Sequence, residues 1–191
     1  MTIKLGISMS SALKEIGLWK AMKFGFITIF MAFYKMMIFP QLRVLYLKAL
    51  GAKIGKNVII HNADFFNYYR TGFKGVKIGN NCFIGNNSLI DLADKIILAD
   101  HVTIAERVTI LTHMNVGYQE HPLQKHFPSI ASPVIFGYGS FIGANVTILP
   151  GVRIGECAFI AAGSVVIENI PSYSLVAGVP ARIIRTINHE T

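Results

Sequence analysis

From Phe136 to Pro171 the chain repeats every six residues, as FGYGSF, IGANVT, ILPGVR, IGECAF, IAAGSV and VIENIP. The first place of each hexad is large and apolar: Phe136, Ile142, Ile148, Ile154, Ile160 and Val166. The second is mostly Gly or Ala. The fifth, Ser140, Val146, Val152, Ala158, Ser164 and Ile170, is mostly small or β-branched. A period of six is neither the 3.6 of a helix nor the plain alternation of a sandwich strand. It suits a solenoid in which each hexad makes one flat side of a triangular coil. The first-place residue then fills the interior, and the Gly or Ala column marks a corner or a close backbone approach. Such hexapeptide spacing is a mark of a parallel β-helix.

The same frame is legible upstream, in IGKNVI from Ile54, IHNADF from Ile60, IGNNCF from Ile78 and IGNNSL from Ile84. Two extra residues around Asp94–Ile97 shift it, and it continues with LADHVT from Leu98, IAERVT from Ile104 and ILTHMN from Ile110. Asn67–Gly75 interrupts the pattern as a loop or distorted coil. Val116–Ser132 loses it altogether and reads as a loop extruded from the solenoid; loops of this length in a compact domain are usually functional. The expected organisation is a helical arm over 1–50, a β-helix over 51–171 and a C-terminal cap over 172–191. The cap would cover an otherwise exposed sheet edge.

The formal net charge of +8 is unevenly placed. Residues 1–56 hold nine Lys or Arg against Glu15 alone, and the remainder is balanced at nine of each sign. The arm's lysines are interleaved with long apolar runs, which favours an anionic membrane surface over nucleic acid. Its charge-free run Phe24–Tyr34 is bracketed by Lys23 and Lys35 and is short for a bilayer span, which needs about 20 apolar residues. A helix broken at Pro40 and lying in the interface fits it, with Trp19 and the Phe cluster in lipid and the lysines at the headgroups. Packing against the solenoid or a neighbouring subunit is the other reading. The start lacks the pattern of a secretory signal. Cys82 and Cys157 make no disulfide framework and read as reduced, in a cytoplasmic protein that touches the inner face of the membrane.

Six histidines are available for chemistry. His113 takes the fourth place of its hexad, pointing outward at a corner just before the extruded loop, where a neutral imidazole can accept a proton. His101 has the same hexad place two hexads earlier, hence a different face. His121 and His126 form H-x4-H, but in a Pro-containing loop without a third ligand, so no metal is expected. There is no P-loop, dinucleotide-binding fingerprint or G-x-S-x-G element. Arg182 and Arg185 stand three apart after Pro180, able to meet a phosphate together or to remain solvated.

The hexads, the ILTH element ending in His113, the loop, and the segment IGANVTILPGVRIGECAFIAAGSVV…VAGVPARIIR resemble the hexapeptide-repeat acyltransferases. Within these the chain is most similar to sugar O-acetyltransferases of the maltose/galactoside and exopolysaccharide or O-antigen type, over roughly residues 50–187. The resemblance implies a left-handed parallel β-helix, a homotrimer with sites between neighbouring solenoids, acetyl-coenzyme A as donor and no metal. It implies His113 as the general base and the Ala144 backbone N–H as an oxyanion donor. Gly143, Ala144, Ala162, Ile167, Arg182 and Arg185 would meet the coenzyme. Glu168 stands where the sugar enzymes carry a Lys, which removes a cation there. Asp91, Asn115 and His121 would border the sugar or glycan acceptor, with Asp94 an alternative to Asp91. Two other readings stay open, a zinc β-helix like the γ-carbonic anhydrases and a non-catalytic scaffold at a membrane.

Overall fold

A computed structural model describes residues 17–117 and 120–188. The weakly patterned start (Met1–Glu15), the terminal His189, and the side chains of Trp19, Lys20, Lys23 and Phe24 lie outside the described residues. The chain divides into two compact units between Met37 and Ile38.

The first unit holds helix α1 (Leu18–Met36). Met22, Phe26, Ile29, Phe33 and Met36 are exposed along it, at spacings of four and three that place them on one face. No described helix is long and apolar enough to cross a membrane.

The second unit opens with helix α2 (Pro40–Ala49). Pro40 starts this helix, because a proline in the first turn gives up an N–H that would have had no intrahelical partner. The helix buries Val44 and Leu47 against the first strands of the coil, and the chain turns at Gly51, φ +106°.

Three faces follow. The first holds β1 (Lys53–Ile54), β4 (Val76–Ile78), β7 (Ile96–Leu98), β12 (Val134–Phe136) and β15 (Arg153–Ile154). The second holds β2 (Ile59–Ile60), β5 (Phe83–Ile84), β8 (Thr103–Ile104), β13 (Phe141–Ile142), β16 (Phe159–Ile160), β18 (Ser174–Ala177) and β19 (Arg182–Thr186). The third holds β3 (Asp64–Phe66), β6 (Leu89–Asp91), β9 (Thr109–Ile110), β14 (Thr147–Ile148) and β17 (Val165–Val166). All described pairs between successive coils are parallel; in the tail the chain turns back, β19 running antiparallel on β18.

Side chains from the three faces meet inside. Ile104, Ile110, Ile142, Ile148, Ile160 and Val166 are 0% exposed. Burial of each contributes about 1.5–3 kcal/mol. Coils stack so closely that a Cβ on Gly143 would lie 2.6 Å from the Ala162 backbone nitrogen, so the second-place glycine answers to close approach. Cys82 is buried, Cys157 is partly exposed, and both are free thiols.

The register explains where the pattern breaks. Lys53 pairs with Lys77, Lys77 with Ile97, Ile97 with Ile135 and Ile135 with Arg153, giving coils of 24, 20, 38 and 18 residues. The last is three hexads with nothing added. In the others the surplus falls at the edge between the third and first faces, as 67–75, 92–95 and 111–133. The first coil also departs from the sequence frame. A tight turn, with the Ala63 N–H donating to the His61 carbonyl at 2.9 Å, shortens one corner by a residue. Phe65 rather than Phe66 therefore faces the interior.

Candidate active site

All three insertions lie on the third edge, and so does His113. The residue follows β9 and opens a short hairpin, β10 (His113–Met114) with β11 (Ile130–Ala131), that clamps the base of the extruded loop. Its side chain is 25% exposed, enough for the ring to be reached from solvent.

The inner side of the ring is held by Asp91 at the end of β6. His113 Nδ1 lies 2.5 Å from Asp91 Oδ2, and the carboxylate is fully buried. Asp91 Oδ2 also accepts from the Thr112 N–H at 2.9 Å. Oδ1 accepts from Asn67 Nδ2 at 2.8 Å and from the Ala93 N–H at 3.0 Å. Four donors thus take the lone pairs a carboxylate has to offer. Burial alone would raise its pKa, but the hydrogen bonds from His113, Asn67, Thr112 and Ala93 together hold it below the usual carboxylate value. Asp91 is therefore an anion at neutral pH. A carboxylate in contact with Nδ1 favours the tautomer with its proton there, which leaves Nε2 as the acceptor.

Asp91, expected to border the acceptor, is buried, and its lone pairs are engaged inside the protein. Asn67 was not foreseen. It follows β3 in a left-handed conformation, φ +55°, which Asn tolerates better than most residues, and its amide also lies 3.4 Å from His113 Nδ1. Thr112 completes the support, its hydroxyl donating to the Asp91 carbonyl and accepting from the Asp94 N–H, both at 3.0 Å. Phe66 meets the imidazole edge-on, centroids 6.4 Å apart.

The other expected residues are distributed. Asn115 is exposed, and its side chain accepts from the Gly117 N–H. His121 Nδ1 accepts from the Leu123 N–H and so caps the short 3-10 turn Pro122–Lys125. His101 lies on the first edge, bonded to Asn81. Gly143, Ala144 and Ala162 lie on the second edge, where the Gly163 N–H donates to the Ala144 carbonyl at 2.8 Å. Ile167 and Arg182 line one cleft of about 510 Å³, together with Glu168 and Ile183. Arg185 lies further along β19, opposite Leu175. Within a single chain, then, His113 stands on one edge of the prism and Ala144 and Ala162 on another.

Residues 134–168 match the family model described as bacterial transferase hexapeptide (six repeats), and residues 75–105 that of the hexapeptide repeat of succinyl-transferase. Among curated proteins, the 2,3,4,5-tetrahydropyridine-2,6-dicarboxylate N-acetyltransferase of Enterococcus faecalis is 48% identical over 64 residues, 34% of this chain and 28% of that protein. The putative lipopolysaccharide biosynthesis O-acetyl transferase WbbJ of Escherichia coli is 48% identical over 61 residues, 32% of this chain and 31% of that protein. The chain thus matches about a third or less of the length of these relatives. Whole-fold likeness reaches further. A galactoside acetyltransferase in complex with coenzyme A is 28% identical with TM-score 0.71, covering 95% of this chain and 85% of the other. A hexapeptide-repeat acetyltransferase from Vibrio cholerae complexed with acetyl coenzyme A is 26% identical with TM-score 0.70, covering 82% of each. The repeat matches the hexapeptide transferase models, and the fold, a left-handed parallel β-helix, is similar to that of the hexapeptide-repeat acetyltransferases.

Proposed function

We propose that the protein is an acetyl-coenzyme A-dependent O-acetyltransferase that modifies a hydroxyl of a sugar or lipid-linked glycan. The observation that carries this is the His113–Asp91 pair, an imidazole anchored at Nδ1 by a buried anion. His113 Nε2 takes the proton of the acceptor hydroxyl as its oxygen attacks the thioester carbonyl carbon. The carbon–sulfur bond then breaks, and the imidazolium returns the proton to the departing thiolate. Asp91 stabilises the charged ring in between, and Asn67 holds Asp91 in place.

Two features support the residues expected to meet the coenzyme. Ala144 and Ala162 are small and lie one above the other on the second edge, leaving room for a pantetheine arm. The Ile167–Arg182 cleft supplies an apolar wall and a cation, with Glu168 replacing a second one. Because His113 and Ala144 belong to different edges, a complete site needs two chains, which a homotrimer of solenoids side by side provides. The apolar stripe of α1 and the lysine-rich arm support contact with an anionic membrane at its inner face, where a lipid-linked acceptor would be presented.

A second reading, transfer to an amine, is favoured by the likeness to the Enterococcus N-acetyltransferase. The two are separated by following thiol release from acetyl-coenzyme A with the full chain, offered neutral oligosaccharides and lipid-extracted glycans in parallel with amino-sugar acceptors. Release that depends on a neutral, hydroxyl-only acceptor is the expected result. Release only with free amines would transfer the assignment to nitrogen, and no transfer to either class would remove it.

A further inference from the structure

The N-terminal end of the β-helix carries a feature the acetyl-transfer site does not use. An open trough of about 660 Å³ runs between α2 and the first three strands of the first face, and Lys48, Lys53 and Lys77 line it with Ala52, Ile54 and Leu98. Lys53 and Lys77 are register partners on adjacent parallel strands, which places their stems about 4.8 Å apart. Like charges directly opposite destabilise a sheet, and an anion between them relieves that. Lys48 leans over from the helix, its ammonium donating to the Gly55 carbonyl at 3.4 Å. Among the described residues no carboxylate lines the trough. Asp100, which approaches Gly79 at the adjoining corner, spends both oxygens on Asn80 at 2.8 and 3.1 Å.

Beside the trough lies apolar surface. Ile38, Phe39, Leu42 and Leu45 are 81%, 64%, 47% and 62% exposed, while Val44 and Leu47 of the same helix are buried against the coil. Leu45 and Lys48 are one turn apart, so the stripe and the trough adjoin. From Ile38 to Ala63 the chain has four basic residues and no acid. Cations rimming an exposed apolar stripe have the chemistry of a surface that rests on a bilayer, apolar side chains at the acyl boundary and ammonium groups at phosphate level.

We propose that this end of the solenoid is itself a lipid-binding surface, with Lys48, Lys53 and Lys77 forming a site for the phosphates of anionic headgroups. It extends the contact assigned to residues 1–50 onto Lys53 and Lys77 of the coil, and the contact through α1 and the trough fail separately. The test measures co-sedimentation of the full chain with vesicles of phosphatidylcholine, alone or mixed with phosphatidylglycerol. The wild-type protein should prefer the mixed vesicles. Lys53→Gln with Lys77→Gln should reduce that preference by about 25-fold, at roughly fivefold per cation. It should leave binding to phosphatidylcholine and transfer to a water-soluble acceptor unchanged. The Lys→Arg pair at the same positions should keep the preference. An arm variant, Phe26→Ser with Phe33→Ser, should instead weaken binding to both vesicle types; if it binds both as wild type does, the arm's contact falls and the trough stands. Free glycerol phosphate in millimolar excess should not displace the mixed vesicles. Full preference retained by the Gln pair, loss in the Arg pair, or displacement by glycerol phosphate would each overturn the lipid site; the last would assign the trough to a soluble phosphate compound.

Discussion

Replacing His113 with Ala lowers kcat/KM for acetyl transfer by about 10²–10⁴-fold, the range a positioned general base supplies. The loss should fall on kcat, with KM for acetyl-coenzyme A little changed, because the residues assigned to the coenzyme lie on the second edge and around Arg182. The protein should stay folded. His113 is partly exposed, and Asp91 keeps the donors Asn67, Thr112 and Ala93 when the ring is gone. Steady-state kinetics beside a thermal melt separate the two outcomes. A variant that melts like the wild type and loses less than about tenfold in rate removes His113 from the role of base.

Asp91→Asn should be nearly as damaging, for a different reason. Each of the four groups around the carboxylate donates a hydrogen bond to it. An amide has an NH₂ where one oxygen stood, so at least one donor faces another donor. If the ring turns or changes tautomer to suit, Nε2 carries the proton and no longer accepts one, and rates should fall by about 10²–10⁴-fold. A buried donor left without its acceptor adds a destabilisation of about 1–3 kcal/mol. The pH dependence of stability gives a separate check. The folded state depresses the Asp91 pKa, so its contribution is present above the unfolded carboxylate value, about 3.9, and is lost as pH falls through the folded value. Urea midpoints at neutral pH and in acid should show this acid-side loss in the wild type and a smaller one in Asp91→Asn.

How much of this could be read from the letters follows from what repeats and what does not. Phe136, Ile142, Ile148, Ile154, Ile160 and Val166 recur every six residues, and all six face the interior. A one-dimensional stack imposes the same packing problem on each coil, so the solution is visible as a column. Phe65 escaped because a one-residue turn is invisible when the next residue, Phe66, is equally large and apolar. His113 was legible as an outward residue at the foot of a long loop. Its partners were not: Asp91 lies 22 residues away and Asn67 46 residues away, brought to one edge by insertions of unequal length. The resemblance alone places Asp91 near an acceptor, and LIDLAD says nothing of the donors that surround it. The one available clue to Asn67 was its place at the start of an interruption, where Asn accepts a left-handed backbone.

In the proposed site one chain supplies His113 and its neighbour the corner carrying Ala144 and Ala162. Co-expression of two inactive variants, His113→Ala and Ala162→Trp, tests this sharing. Ala162 is exposed, so an indole there should fill the coenzyme groove without disturbing the coil. Each variant alone should be inactive. Mixed assemblies should recover about a quarter of wild-type activity, the share of two-chain sites that receive an intact half from each parent by random pairing. Mixed trimers no more active than either parent would show that each site is built from a single chain.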